Sequence, residues 1–159
     1  MAPDLRFDRL AEAEYPVASE IVAAAVRDRW PGHYAPEVID AVIAGNRPEA
    51  IRNRSTEQED YLVRRDGRPV AYIAVKRNEI GHLFVHPDAA RQGVGSALVA
   101  FADGLFRERG HKTAKVYASL NAVGFYETQG FRRVSEGAFD VGPGLPLDYV
   151  LLEHELPGG

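Results

Sequence analysis

The segment Glu79 to Gly95, read EIGHLFVHPDAARQGVG, constrains this chain more than any other stretch: a strand runs into a glycine-containing turn that opens a helix. Ile80 to Val85 reads as the strand. After the turn, Leu98, Phe101, Ala102 and Leu105 recur at helical spacing, and Arg107, Arg109 and then Gly110 supply a favourable last turn and a stop. Such a turn has a physical use. The first N–H groups of a helix lack intrahelical partners and carry the positive end of its dipole, so together they form an anion site suited to a phosphate. Gly93 and Gly95 remove side chains where a pyrophosphate would approach the backbone, and Ser96 adds a hydroxyl donor. Two other phosphate loops fail on their residues. A dinucleotide-binding fingerprint needs a third glycine where this chain has Leu98, and a Walker loop needs a Lys-Ser/Thr pair that is absent. For the glycines alone, a tight ligand-free connection is the other reading, and context has to decide between the two.

The rest of the chain supplies a mixed frame around this block. Asp4 to Asp8 is a candidate first strand, and Pro16 to Arg29 places Val17, Ile21 and Ala25 on one face of a helix. Trp30 to Ala35, including His33 and Tyr34, reads as a surface turn, and Pro36 can open a second helix that Gly45 stops. Asn46 to Glu59 is polar and is expected to be a loop or a frayed turn. Tyr61 to Val63 and Val70 to Val75 flank the dipeptide Asp66-Gly67, which favours an antiparallel hairpin. Ala114 to Ala118 is a short strand and Ala122 to Gln129 a short helix closed by Gly130. Phe131 to Val134 and Asp148 to Glu155 complete the sheet across a loop at Gly142 to Pro146.

Composition narrows the function classes. At 159 residues, 45% hydrophobic and 26% charged, the chain suits one domain, residues 1–159, that buries a core unaided. It has no cysteine, which removes disulfides, thiolate metal sites and a cysteine nucleophile. A net charge of −4 argues against a general nucleic-acid binder, which normally presents a basic face. No apolar run approaches the length that spans a bilayer, and the charged N-terminus lacks a signal-peptide core, so a cytoplasmic location is expected. His82 and His86 would stand ~13 Å apart along a strand, too far to share one ion, and no metal is expected.

The run Val85-His86-Pro87, followed by Arg91-Gln92-Gly93-Val94-Gly95-Ser96-Ala97-Leu98, resembles the acetyl-CoA-binding motif of the GCN5-related N-acetyltransferase (GNAT) superfamily. A second block, Ala118 to Glu127 with Gly130-Phe131, is similar to that family's downstream signature. One departure stands at Ala90, where the family usually carries Gln or Arg; Arg91 and Gln92 are adjacent. The resemblance implies an α/β fold of the α+β type. A central, mostly antiparallel sheet would be splayed between two parallel strands, Ile80 to Val85 and Ala114 to Ala118, and flanked by helices.

It also implies a chemistry, acetyl transfer from acetyl-CoA to a primary amine by direct attack in a ternary complex, with no metal. The implied cofactor-binding residues are Leu83, Phe84, Val85, Arg91, Gln92, Gly93, Val94, Gly95, Ser96, Ser119, Asn121, Phe125 and Tyr126. Leu83 and Val85 would act through their backbone groups, pairing with pantetheine as an added strand would. Tyr126 takes the position of the family's general acid, the alternative being a packing tyrosine. Glu79 takes the position of a glutamate base found in some members, the alternative being a solvated strand-end carboxylate. The partners implied are a small-molecule or protein amine and a possible homodimer, without nucleic acid or membrane; the loop holding His33 and Tyr34 borders the acceptor site in this family, the favoured alternative being a plain surface turn. An acyl-CoA-binding sensor of the same fold that has lost turnover is the competing function.

Overall fold

The computed structural model describes residues 4–158. Seven strands form one sheet in the order β1-β2-β3-β4-β5-β7-β6. They are β1 (Arg6–Arg9), β2 (Glu59–Arg65), β3 (Arg68–Lys76), β4 (Glu79–Val85), β5 (Thr113–Ser119), β6 (Arg132–Asp140) and β7 (Pro146–Glu155). Five helices cover its faces: α1 (Tyr15–Arg29), α2 (Pro36–Ala44), α3 (Pro48–Arg54), α4 (Val94–Glu108) and α5 (Val123–Thr128). This is the mixed α/β architecture expected. None of these helices is long and apolar enough to cross a membrane.

Strand β3 explains the layering. Its run Val70-Ala71-Tyr72-Ile73-Ala74-Val75 is apolar without alternation, as a strand covered on both faces requires. Ala71, Ile73 and Val75 pack with Leu98, Ala102 and Phe106 of α4, while Tyr72 and Ala74 pack with Ile21, Val22 and Val42 of α1 and α2. The β2–β3 turn places Asp66 at φ 51° and Gly67 at φ 77°, the left-handed pair that suits a two-residue hairpin.

All neighbouring strands pair antiparallel except β4 and β5, whose parallel pairing is confined to Glu79↔Lys115 and Ile80↔Val116. Gly81 is then the extra residue of a bulge against β3, because Ala74 faces His82 while Val75 faces Ile80. Beyond it β4 and β5 have no mutual pairing, and the sheet opens as a wedge.

Two expectations need correction. Asn46 to Glu59 contains the helix α3, opened by Pro48 and anchored by Ile51, which is completely buried. Behind it the buried Asp60 carboxylate accepts from Ser55 Oγ at 2.6 Å, Gln58 Nε2 at 2.8 Å and the Tyr72 hydroxyl, which ties α3 to the sheet. The penultimate strand in sequence does not stop at Val134 but runs to Asp140, held by its pairing with β7.

Candidate active site

The wedge holds two cavities that meet. The first, about 370 Å³, is bounded by α2, the middle of β4, β5 and the ends of β6 and β7. The second, about 520 Å³, is bounded by the end of α1, the end of β4, the glycine turn and the start of α5. Both are lined by Trp30, Leu83, Phe84, Ser119, Ala122 and Tyr126, so a group at this junction is reachable from either.

The second cavity gathers most of the residues singled out from sequence. Arg91, Gly93, Val94, Gly95 and Ser96 line it together with Leu83, Phe84, Val85, Ser119, Asn121, Phe125 and Tyr126. Its turn is built for close approach to the backbone. Gly93 caps α4 at φ 80°, and Arg91 also takes the left-handed region at φ 61°. A Cβ added at Gly95 would stand 3.1 Å from Cε1 and Cζ of Phe125, so any side chain there would press on the Phe125 ring. The Ser96 hydroxyl accepts from Gln129 Nε2 at 3.0 Å, which leaves its own proton free to donate.

Two features of this cavity suit the acetyl-CoA that the family resemblance implies. Gly93 to Ser96, where α4 opens with unpaired N–H groups, line a space suited to phosphate, and Asn121 Oδ1 is buried with no hydrogen-bond partner among the described residues. An amide donor from a bound chain would satisfy that oxygen.

Gln92 behaves differently from its neighbours. Its side chain is turned to the far side of the turn, where it accepts from Arg65 Nη1 and donates to the Asp88 carbonyl at 3.3 Å. Arg29, which sequence reading left as a helix end, enters the cavity lining, and its Nη2 donates to the Val85 carbonyl at 2.6 Å. That carbonyl is therefore partly engaged, while the Val85 N–H and the Leu83 backbone are the freer groups for an added strand.

Tyr126 is buried at the junction, edge-on to Phe125 and Phe131 at 5.1 and 5.4 Å between ring centres. Its hydroxyl makes no hydrogen bond among the described residues, and burial raises its pKa above the usual phenol value. The group therefore stays protonated at physiological pH and keeps a proton to donate. Glu79 lies at the start of β4, where β4 and β5 are still paired, and lines neither cavity. Burial raises its pKa, against the opposing charges of Lys115, Lys76 and Arg77.

The first cavity contains residues that the sequence reading did not assemble. His82 stands between Tyr72 and Phe84 at 6.2 and 6.4 Å, and burial together with the Arg54 charge pulls its pKa down to about 3. His86 lies beyond the strand and caps the short turn that follows, accepting from the Asp88 N–H at 3.1 Å. Tyr34, read from sequence as part of a surface turn, is instead a strap. Its hydroxyl donates to the Asp148 carbonyl at 2.6 Å and accepts from the Leu120 N–H at 2.8 Å, closing the α1–α2 connection onto the far half of the sheet. Trp30 lies tilted beside it, 4.7 Å between ring centres.

Residues 32–142 match the family model described as an acetyltransferase (GNAT) domain. Among solved structures, one described as the GCN5-related N-acetyltransferase: aminotransferase, class-II, from Rhodopseudomonas palustris, is 24% identical. It superposes with a TM-score of 0.89 over 98% of this chain and 97% of that one. The PaiA N-acetyltransferase of Thermoplasma acidophilum, solved with coenzyme A, is 20% identical, with a TM-score of 0.76 over 96% and 99% of the two chains. The ribosomal-protein-S18-alanine N-acetyltransferase of Escherichia coli is 18% identical, with a TM-score of 0.66 over 98% and 96%. At these identities the likeness carries the fold.

Proposed function

The chain belongs to the GNAT acetyltransferase family, and from that premise we propose that it transfers acetyl from acetyl-CoA to a primary amine by direct attack, with both substrates bound at once. The observation that carries this reading is the meeting of two cavities at Tyr126, one bounded by the glycine turn and the other free for an acceptor. When bound, acetyl-CoA supplies an acetyl group already activated as a thioester, so no covalent relay through the protein is required.

The protein groups have separate tasks. The α4 start and Ser96 hold phosphate, while the Leu83 backbone and Asn121 align the chain that leads to the junction. The Val85 N–H polarises the acetyl carbonyl. The amine attacks as its neutral form: a C–N bond forms and the C–S bond breaks. The amine's proton passes through water to Glu79, and the Tyr126 hydroxyl donates to the departing sulfur before regaining its proton from solvent.

The test is release of free CoA thiol from acetyl-CoA across a panel of amines, alongside calorimetry of acetyl-CoA binding. Amine-dependent release is expected, with one acetyl-CoA bound per chain. One-to-one binding with no release for any amine would favour the sensor.

Glu79→Gln is expected to lower turnover by about tenfold at neutral pH and progressively less as pH rises. That is below the usual range for a base in direct contact, because Glu79 stands outside both cavities. The sign follows from its raised pKa: a base must be ionised, so the parent enzyme loses activity as pH falls through a value above the ordinary glutamate 4.5. The variant should lack that limb and keep only the one set by the amine. A pH–rate profile that superimposes on the parent's would make Glu79 a solvated strand-end carboxylate.

A further inference from the structure

The walls of the first cavity are aromatic on one whole side. Tyr117, Phe139 and Tyr149 pack against one another with ring centres 5.6, 5.1 and 4.5 Å apart, too close to admit a cation between them, so they form a continuous wall and not a cage. Gly137 makes that wall possible, since a Cβ there would fall 2.6 Å from Tyr149 Cζ. Trp30, Phe84 and Leu147 continue the apolar surface towards the junction.

Charge is nearly absent from the lining. No lysine or arginine lines this cavity, and Asp148 is its single acidic residue. Strand alternation puts the Asp148 side chain on the face of the buried Val150, opposite Tyr149. His82 is neutral at physiological pH. An ammonium or carboxylate laid against this wall would give up hydration there without a partner of opposite charge on it, which costs more than an apolar contact returns. The volume, about 370 Å³, lies near the lower end for small-molecule pockets.

Resting on the acetyl-transfer reading above, we propose that the acceptor is a small primary monoamine carrying an aryl or branched apolar body and no second charge. The apolar body lies on the Tyr117–Phe139–Tyr149 wall while the amine reaches Tyr126 at the junction. A hydrophobic surface selects such a molecule by what it excludes as much as by what it holds.

The experiment compares kcat/KM for 2-phenylethylamine, spermidine, leucine and a lysine-containing peptide, in the parent and in Phe139→Asp. Phe139 is 45% exposed on the edge strand β6, so the substitution leaves the buried core intact, and a melting curve verifies this. The parent should prefer 2-phenylethylamine by about tenfold or more, the discrimination an apolar pocket can supply. Phe139→Asp should lose about tenfold with that amine and weaken its calorimetric binding to the CoA-saturated protein, with acetyl-CoA affinity retained. Preference for spermidine, leucine or the peptide would overturn the proposal and leave acetyl transfer standing. Absence of 2-phenylethylamine acetylation by a chain that binds acetyl-CoA would overturn the proposal as well, with acetyl transfer then standing or falling on release with the other amines. A chain that fails to bind acetyl-CoA would overturn both readings.

Discussion

Gly95→Asp is expected to abolish acetyl-CoA binding, lowering affinity by about a hundredfold or more. Two effects act at one position. The new carboxylate would sit at the start of α4, where the helix N–H groups should meet phosphate, and an unpaired like charge in a partly desolvated site costs about 3 kcal/mol or more, equivalent to that factor. The added Cβ also stands 3.1 Å from the Phe125 ring, so the ring has to shift. Gly95→Ala separates the two, because it retains the steric push without the charge, and it should cost no more than about tenfold. Melting curves provide an independent reading: saturating acetyl-CoA should raise the parent's melting temperature by mass action and leave that of Gly95→Asp unmoved. Unchanged affinity in the aspartate variant would remove the phosphate role from this turn.

Tyr126→Phe should slow the chemical step by roughly 10²-fold, the lower part of the range for a lost general acid, with acetyl-CoA affinity nearly unchanged. The ring contacts with Phe125 and Phe131 survive the substitution, so the loss should fall on the transition state and not on binding. Burial explains both the role and its ceiling. It keeps the hydroxyl protonated and ready to donate, but the same upward displacement makes the phenol a weaker acid and limits what it can contribute. If water protonates the thiolate instead, the loss should be below about threefold, small against general acid catalysis. Single-turnover rates at saturating acetyl-CoA decide between these, and a near-parental rate would make Tyr126 a packing residue.

What could be read from the chain was local and periodic. The β4–turn–α4 block is legible because glycine at a left-handed cap and helical spacing both leave marks on residue identity, and the β4–β5 splay followed from the family resemblance. The missed features depend on partners distant in sequence. Helix α3 is held by the single buried residue Ile51 and by the Asp60 network, neither of which produces a periodic pattern. Strand β6 is exposed along nearly all its length, so it shows no alternation, and its extent is set by β7. Tyr34 becomes a strap and Arg29 a cavity residue only through bonds to Asp148, Leu120 and Val85, which lie 114, 86 and 56 positions away along the chain. No sequence window contains both ends of such a bond. The aromatic wall has the same origin, since Tyr117, Phe139 and Tyr149 come from three strands.

The confinement of β4–β5 pairing to Glu79↔Lys115 and Ile80↔Val116 has a mechanical consequence. The sheet consists of two blades fastened at one end, with β1 to β4 as one and β5, β7 and β6 as the other. Among the described residues, backbone hydrogen bonds join the blades only at this seam, so elsewhere they are held together by α4, whose core residues pack with both, and by the Tyr34 strap. A molecule that lies in the gap and bonds to both edges does more than occupy a site: it acts as the missing rung of the ladder. Part of its affinity is then spent stiffening the whole sheet, including the far wall of the first cavity.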